Sequence, residues 1–257
     1  MRTIARHQHT RSTPITELGT ALDAISRSLE SVELSRDALG VRLPAGLHEW
    51  CAHSECEDRE RGDGPPLGVL LGYAQRAAAR GVVVWVGRGV GPYPHALVHR
   101  TGIGSDLTAL GRSLFVGVER RAERVWAIEV SLRCPGVALV IGDGRGLTMA
   151  ESRRLQLVAS SCGGVALVAR SASEIKAISA ARTRWSVAPC VVPDRARAWR
   201  VELLRCKGLR PTFGDARRWV VQRDHATGAI GEWQACDVGV AAEVVERPAA
   251  TPGSRIA

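Results

Sequence analysis

ERVWAIEVSLRCPGVALVIGDGRGLTMAESRRLQLVASSCGGVALVAR, residues 123–170, is the stretch from which the fold can be read. Two charged, amphipathic segments, Arg120 to Arg133 and Thr148 to Cys162, alternate with two short apolar runs, Val137 to Ile141 and Val165 to Ala169. Unbroken β-branched runs between amphipathic helices are the mark of strands buried on both faces of a parallel sheet. Residues 123–170 therefore predict helix, strand, helix, strand.

Upstream the pattern continues. Leu67, Leu70, Leu71, Ala74, Ala77 and Ala78 recur with a period near 3.6, which predicts a helix over Leu67 to Arg80, and Gly81 stands where a helix C-cap belongs. The apolar runs Val82 to Val86 and Leu114 to Val118 add two more strands. Ahead of that helix, Gly40 to Trp50 reads as a turn-rich entry and Cys51 to Pro66 as a polar, acidic loop. Leu18, Ala21, Leu22, Ile25 and Leu29 lie at helical spacing within Ile15 to Leu39, an amphipathic helix expected to dock on the core.

After Ser171 the texture changes. Candidate strands at Arg184 to Ala188, Trp199 to Arg205 and Arg218 to Arg223 are separated by Pro and Gly turns, which predicts an antiparallel extension of the sheet. The expected organisation is an N-terminal extension over 1–39, one α/β core over 40–235, doubly wound with mostly parallel central strands, and a disordered tail over 236–257.

Composition narrows the setting. No stretch approaches the roughly 18 to 20 consecutive apolar residues of a membrane helix, and the N-terminus has no signal-peptide apolar run, so a cytoplasmic protein without membrane contact is expected. Seven scattered cysteines fit reduced core residues better than a disulfide framework. The net charge is +9, with the excess between Arg145 and Arg223, which suits phosphate backbones. Lys176 and Lys207 are the only lysines, however, and an Arg-, Ala- and Gly-rich chain also fits a GC-rich coding sequence.

Chemistry is conspicuous by what the motifs lack. A phosphate loop, GxxxxGK[ST], is absent: Lys176 follows SASEI and Lys207 follows LRC, neither on a glycine turn. The segment in the position of such a loop, CAHSECEDRERGDGPP (51–66), is net acidic and would repel a triphosphate. Asp143, after the run Val137 to Ile141, stands where a magnesium-binding carboxylate would end a strand; its alternative reading is a turn aspartate between Gly142 and Gly144. His48, Cys51, His53 and Cys56 have zinc-ligand types, but four ligands within nine residues do not match the paired turns of structural sites. His95 and His99 read as surface-loop histidines, and no GxSxG elbow marks a hydrolase. No catalytic residue, cofactor or metal is expected.

Several segments, in order, resemble the ImuA proteins. ERVWAIEVSLRCPGVALVIGD (123–143) is similar to that family's tryptophan-bearing helix and central strand, and ESRRLQLVASSCGGVALVAR (151–170) to its RRLQLAAE helix and next strand. LPAGLHEW (43–50), PYPHAL (92–97), TRWSVAP (183–189) and WRVELLRCKG (199–208) resemble its entry, its YxPAL loop and its closing strands. The resemblance implies a RecA-like fold of P-loop type without a working Walker A motif. It also implies a function: a noncatalytic accessory in SOS-type DNA damage tolerance and translesion synthesis, working with an ImuB-like polymerase homologue and a replicative-type DNA polymerase subunit, with RecA and DNA as further candidate contacts. The residues singled out for DNA or partner contact are Arg153, Arg154, Arg205, Lys207, Arg210, Arg217 and Arg218. The alternative is an ATP-dependent RecA-like recombinase or motor with an atypical nucleotide site. The Cys- and His-containing stretch 51–66 departs from the family pattern.

Overall fold

Nine strands form one sheet in the computed structural model, which describes residues 33–34, 36–37, 40–52, 66–97, 109–191, 197–207, 210–211, 217–223 and 230–235. The strands are β1 (Gly46–Ala52), β2 (Val82–Val86), β3 (Ser113–Val116), β4 (Val137–Asp143), β5 (Val165–Arg170), β6 (Thr183–Val191), β7 (Arg197–Cys206), β8 (Arg218–Arg223) and β9 (Ile230–Ala235). Their order across the sheet is β9-β8-β7-β6-β1-β5-β4-β2-β3. Pairing is parallel from β6 through β3 and antiparallel from β6 to β9. The helices are α1 (Leu67–Ala78), a short α2 (Pro94–Leu97), α3 (Arg121–Leu132) and α4 (Met149–Cys162).

Two cores follow from strand alternation. On one face α1 lays Val69, Leu70, Ala74, Ala77 and Ala78 over Trp50, Trp85, Trp185 and Trp219, so small helix residues meet large sheet residues. Trp50 and Trp185 stack at 5.2 Å, and Trp185 meets Trp219 at 5.8 Å. These indoles join β1, β6 and β8 into one aromatic row, each burying a large apolar area. On the other face α3 and α4 pack Val125, Ile128, Leu155 and Ala159 against Val84, Val140, Ala166 and Val168. Helix α4 starts with a capping box, Thr148 with Glu151, and ends at Gly163 in the left-handed region (φ 67°).

Several expectations are corrected. The turn-rich entry Gly40 to Trp50 and the start of the loop Cys51 to Pro66 contain β1, a fully buried central strand. Leu114 to Val118 is not a strand buried on both faces: β3 is the sheet edge, with Leu114 56% and Phe115 46% exposed. Gly81 does not cap α1, whose C-cap is Ala79; a Cβ on Gly81 would lie 2.7 Å from the carbonyl of Gly136, so the residue serves close packing. Glu33–Leu34 and Arg36–Asp37, the end of the expected helix Ile15 to Leu39, are two-residue strands paired with Arg210–Pro211 and Gly40–Val41. The rest of that helix, and the tail 236–257, lie outside the described residues.

His48, on β1, is fully buried as a neutral ring. Its Nε2 donates to the Pro44 carbonyl (2.8 Å), so Nδ1 accepts from the Thr183 hydroxyl (2.7 Å), which in turn accepts from Trp185 Nε1 (2.7 Å). Burial drives the His48 pKa down to about 4. The unfolded chain therefore binds the extra proton first as pH falls. The contribution is complete above the unfolded value of 6.5 and is lost between there and about pH 4, on the order of 3 kcal/mol in all. Urea unfolding from pH 7 to 4.5 should show this loss, and His48→Asn should flatten it; an unchanged slope would contradict the buried neutral ring.

Candidate functional site

Ligands of open α/β sheets bind beyond the C-terminal ends of the parallel strands, and Asp143 ends β4 there. Its carboxylate is already engaged. Oδ1 accepts from the backbone N–H (3.1 Å) and Nε (3.0 Å) of Arg145, and Oδ2 accepts from Arg145 Nη2 (2.7 Å). Burial alone would raise the Asp143 pKa, but the Arg145 bonds and the charge of Arg124 outweigh it and hold the carboxyl below its ordinary range. Arg124 donates to the carbonyls of Asp143 (3.1 Å) and Arg145 (2.7 Å). Gly89 closes over the pair: a Cβ there would lie 2.6 Å from Arg145 Nη2 and 2.9 Å from Asp143 Oδ2. The cavity left among Gly89, Asp143, Arg145, Arg170 and Ser171 is about 10 Å³, room for about one water.

Across the sheet, the helix after β1 is where a phosphate loop would deliver its lysine and hydroxyl. The first turn of α1 reads Leu67, Gly68, Val69, Leu70, and Pro66 gives no side-chain cap. Gly68 is pressed against the indole of Trp199 on β7; a Cβ would fall 2.0 Å from its Cζ2. Residues 53–65, most of the acidic loop, lie outside the described residues.

Behind this rim is a charge network among buried residues. Glu49, fully buried on β1, accepts from Arg170 Nη1 (3.0 Å), from Arg184 Nε (2.8 Å) and Nη2 (2.5 Å), and from the Ser179 hydroxyl (2.8 Å). Arg170 also donates to Glu174 Oε1 (2.8 Å) and the Leu147 carbonyl (3.2 Å), and Arg184 to the carbonyls of Ile175 and Ala177. Glu174 reaches the rim by accepting from the Gly146 N–H (2.8 Å). Of the zinc-type residues, His48 and Cys51 are three apart on β1 and face opposite sides of the sheet. Burial, the main cause, pushes the Cys51 thiol up to about 11, away from the thiolate a metal needs. No set of three His, Cys, Asp or Glu able to hold a metal occurs among the described residues, where His53 and Cys56 do not figure.

The arginines singled out for contact stand on separate elements. Arg153 and Arg154 are exposed on α4, which packs on β1, two strands from β7. Arg154 pairs with Glu129 of α3, which also takes Arg133. Beside them the outer faces of α3 and α4 leave Trp126 63%, Leu157 60% and Val130 40% exposed. On the antiparallel extension, Lys207 and Arg217 are exposed and Arg218 pairs with Glu202 (3.1 Å). Arg205 is committed inward, donating to the carbonyls of Ser179 (2.8 Å) and Ala181 (3.3 Å). Arg210 pairs through its backbone with Glu33, its side chain lying outside the described residues.

No family model matches the chain. Two curated proteins do: Protein ImuA of Caulobacter vibrioides strains NA1000 / CB15N and ATCC 19089 / CIP 103742 / CB 15, each 29% identical over 209 residues, 73% of this chain and 79% of theirs. The chain is similar to these ImuA proteins over most of its length. Its structure is also similar to the crystal structure of the RadB recombinase, with a TM-score of 0.54 over 80% of this chain and 100% of that one. At 12% identity that likeness is one of fold, and the fold is RecA-like.

The side chains that motif reading missed are Glu49, Arg170, Arg184 and Arg145. Their signal was weak but present: charged residues at the ends of apolar runs, in LHEW, VALVAR and TRW, and an Arg two residues after Asp143. Removing one member of a buried ion network leaves its partners uncompensated and costs about 3–5 kcal/mol. Glu49→Ala should therefore lower stability by that order in chemical unfolding, whereas Arg153→Ala on the exposed face of α4 should change it by less than about 0.5 kcal/mol.

Proposed function

We propose that this protein is a noncatalytic adaptor in DNA damage tolerance, contributing to SOS-type translesion synthesis in the cytoplasm by contacting an ImuB-like polymerase homologue and a replicative-type polymerase subunit, with RecA and DNA as further partners. The relation to Protein ImuA supports the process. The observation that carries the adaptor role is the outer face of α3 and α4. A tryptophan 63% exposed, flanked by exposed Leu157 and Val130 and by Arg153 and Arg154, has the composition of an interface centre, where Trp and Arg supply most binding energy. Among the described residues no helix is long and apolar enough to cross a membrane.

Trp126→Ala should leave the thermal midpoint nearly unchanged and weaken the complex with the ImuB-like partner, by about 2 kcal/mol or roughly 30-fold in Kd, as read by titration calorimetry. Arg154→Glu should weaken it less. Equal affinity for wild type and Trp126→Ala would refute this face as the contact.

The RecA-like fold favours a second reading, an ATP-dependent recombinase or motor. Against it stand the Arg145 guanidinium on Asp143 and the apolar first turn of α1, which among the described residues offer a magnesium-bound triphosphate neither a free carboxylate nor a cradle. Equilibrium dialysis with ATP and Mg²⁺ should show no saturable binding at millimolar nucleotide; saturable binding abolished by Asp143→Asn would establish the motor reading instead.

A further inference from the structure

At the opposite end of the sheet, where β1, β4 and β5 begin, a groove of about 670 Å³ opens between the last turns of α1 and the entry Arg42–Ala45. Leu43, Ala77 and Val165 give it an apolar floor. Arg42, Arg76 and Arg80 line it, and among the described residues no acidic residue does. This sets the three apart from the arginines that pair with acids. Arg145, Arg154, Arg170, Arg184 and Arg218 each meet a carboxylate, whereas Arg42, Arg76 and Arg80 meet none among the described residues. Arg76 is nevertheless held in place, 4.6 Å over the Tyr73 ring.

Three guanidiniums gathered without counter-charge repel one another, and the arrangement becomes favourable when a partner brings the opposite sign. The apolar floor decides what kind of partner. A single strand stacks its bases on exposed aromatic faces, and the one ring among the described residues lining this groove, Tyr73, is 8% exposed with Arg76 across it. An aliphatic or aromatic side chain seated on Leu43, Ala77 and Val165 uses the floor as it stands. The geometry points to a docking groove for an acidic peptide segment of a partner protein, its apolar anchor in the groove and its carboxylates on Arg42, Arg76 and Arg80. This surface is separate from the Trp126 face and does not depend on it.

Peptide display against the immobilised full chain tests the groove. Selection should enrich peptides with two or more Asp or Glu flanking a Leu, Phe or Met. Synthetic copies should bind wild type and Trp126→Ala equally, and bind Arg76→Glu/Arg80→Glu roughly tenfold or more weakly, with affinity falling as salt rises. Circular dichroism and the thermal midpoint check that the double variant is folded, and Arg42→Glu, on the entry rather than on α1, provides an independent variant with the same expected loss. Enrichment without acidic residues, or equal binding by the folded variants, overturns the proposal. A single-stranded oligo(dT) that binds wild type more tightly than the selected peptides and loses binding in the same variants would make the groove a nucleic-acid site. Protection of Arg42, Arg76 and Arg80 from phenylglyoxal in the chain alone would mean that its own sequence fills the groove, which also overturns it.

Discussion

One carboxylate holds the centre of this sheet to its extension. Glu49 sits on β1 between the parallel strand β5 and the strand β6 at which the antiparallel extension begins, and it takes Arg170 from one and Arg184 from the other. A slip of two residues keeps the apolar faces of a strand where they were, whereas a buried carboxylate with four donors is satisfied in one register. Such a network adds little over a well-packed apolar alternative, but any structure that separates its members leaves charge stranded. The segment 171–182, which has little regular structure, is fixed by the same set of bonds: Ser179 donates to Glu49, Ala177 accepts from Arg184, and Ala180 donates to Ser152 of α4.

The rim above that network has the topology of a nucleotide site and the chemistry of something else. In a phosphate-binding protein the acidic strand end and the glycine loop leave space for a ligand and its metal. Here Arg145 lies on Asp143, Gly89 packs on the two of them, and Trp199 covers the first turn of α1. The Arg145 guanidinium is tied to Asp143 by two bonds. The exposed features lie elsewhere, on the tryptophan face of α3 and α4 and at the arginine groove at the other end of the sheet.

Much of the parallel sheet was legible because β2, β4 and β5 are unbroken apolar runs, and because α1, α3 and α4 carry their caps or periodicity in sequence. β1 was not, since His48 and Glu49 interrupt the run Leu47 to Ala52 with polar groups whose partners are as much as 135 residues away. Local pattern cannot reveal that such groups will be satisfied. β9 was missed for a related reason: IGEWQA offers little apolar alternation, and its pairing with β8 settles it. β3 was read as buried because an apolar run does not say whether it will have one neighbour or two. Of the site, Asp143 was placed correctly from topology, but its occupancy by Arg145 depends on a two-residue turn whose direction composition does not encode.

The turn that joins Asp143 to Arg145 has a consequence for how the molecule meets its surroundings. A carboxylate whose counter-ion is a dissolved metal is neutralised only as far as the free concentration of that metal allows. Asp143 carries its cation two residues along the same chain, at an effective concentration that neither dilution nor a chelator changes. The charge balance between Asp143 and Arg145 is thus written into the polypeptide itself.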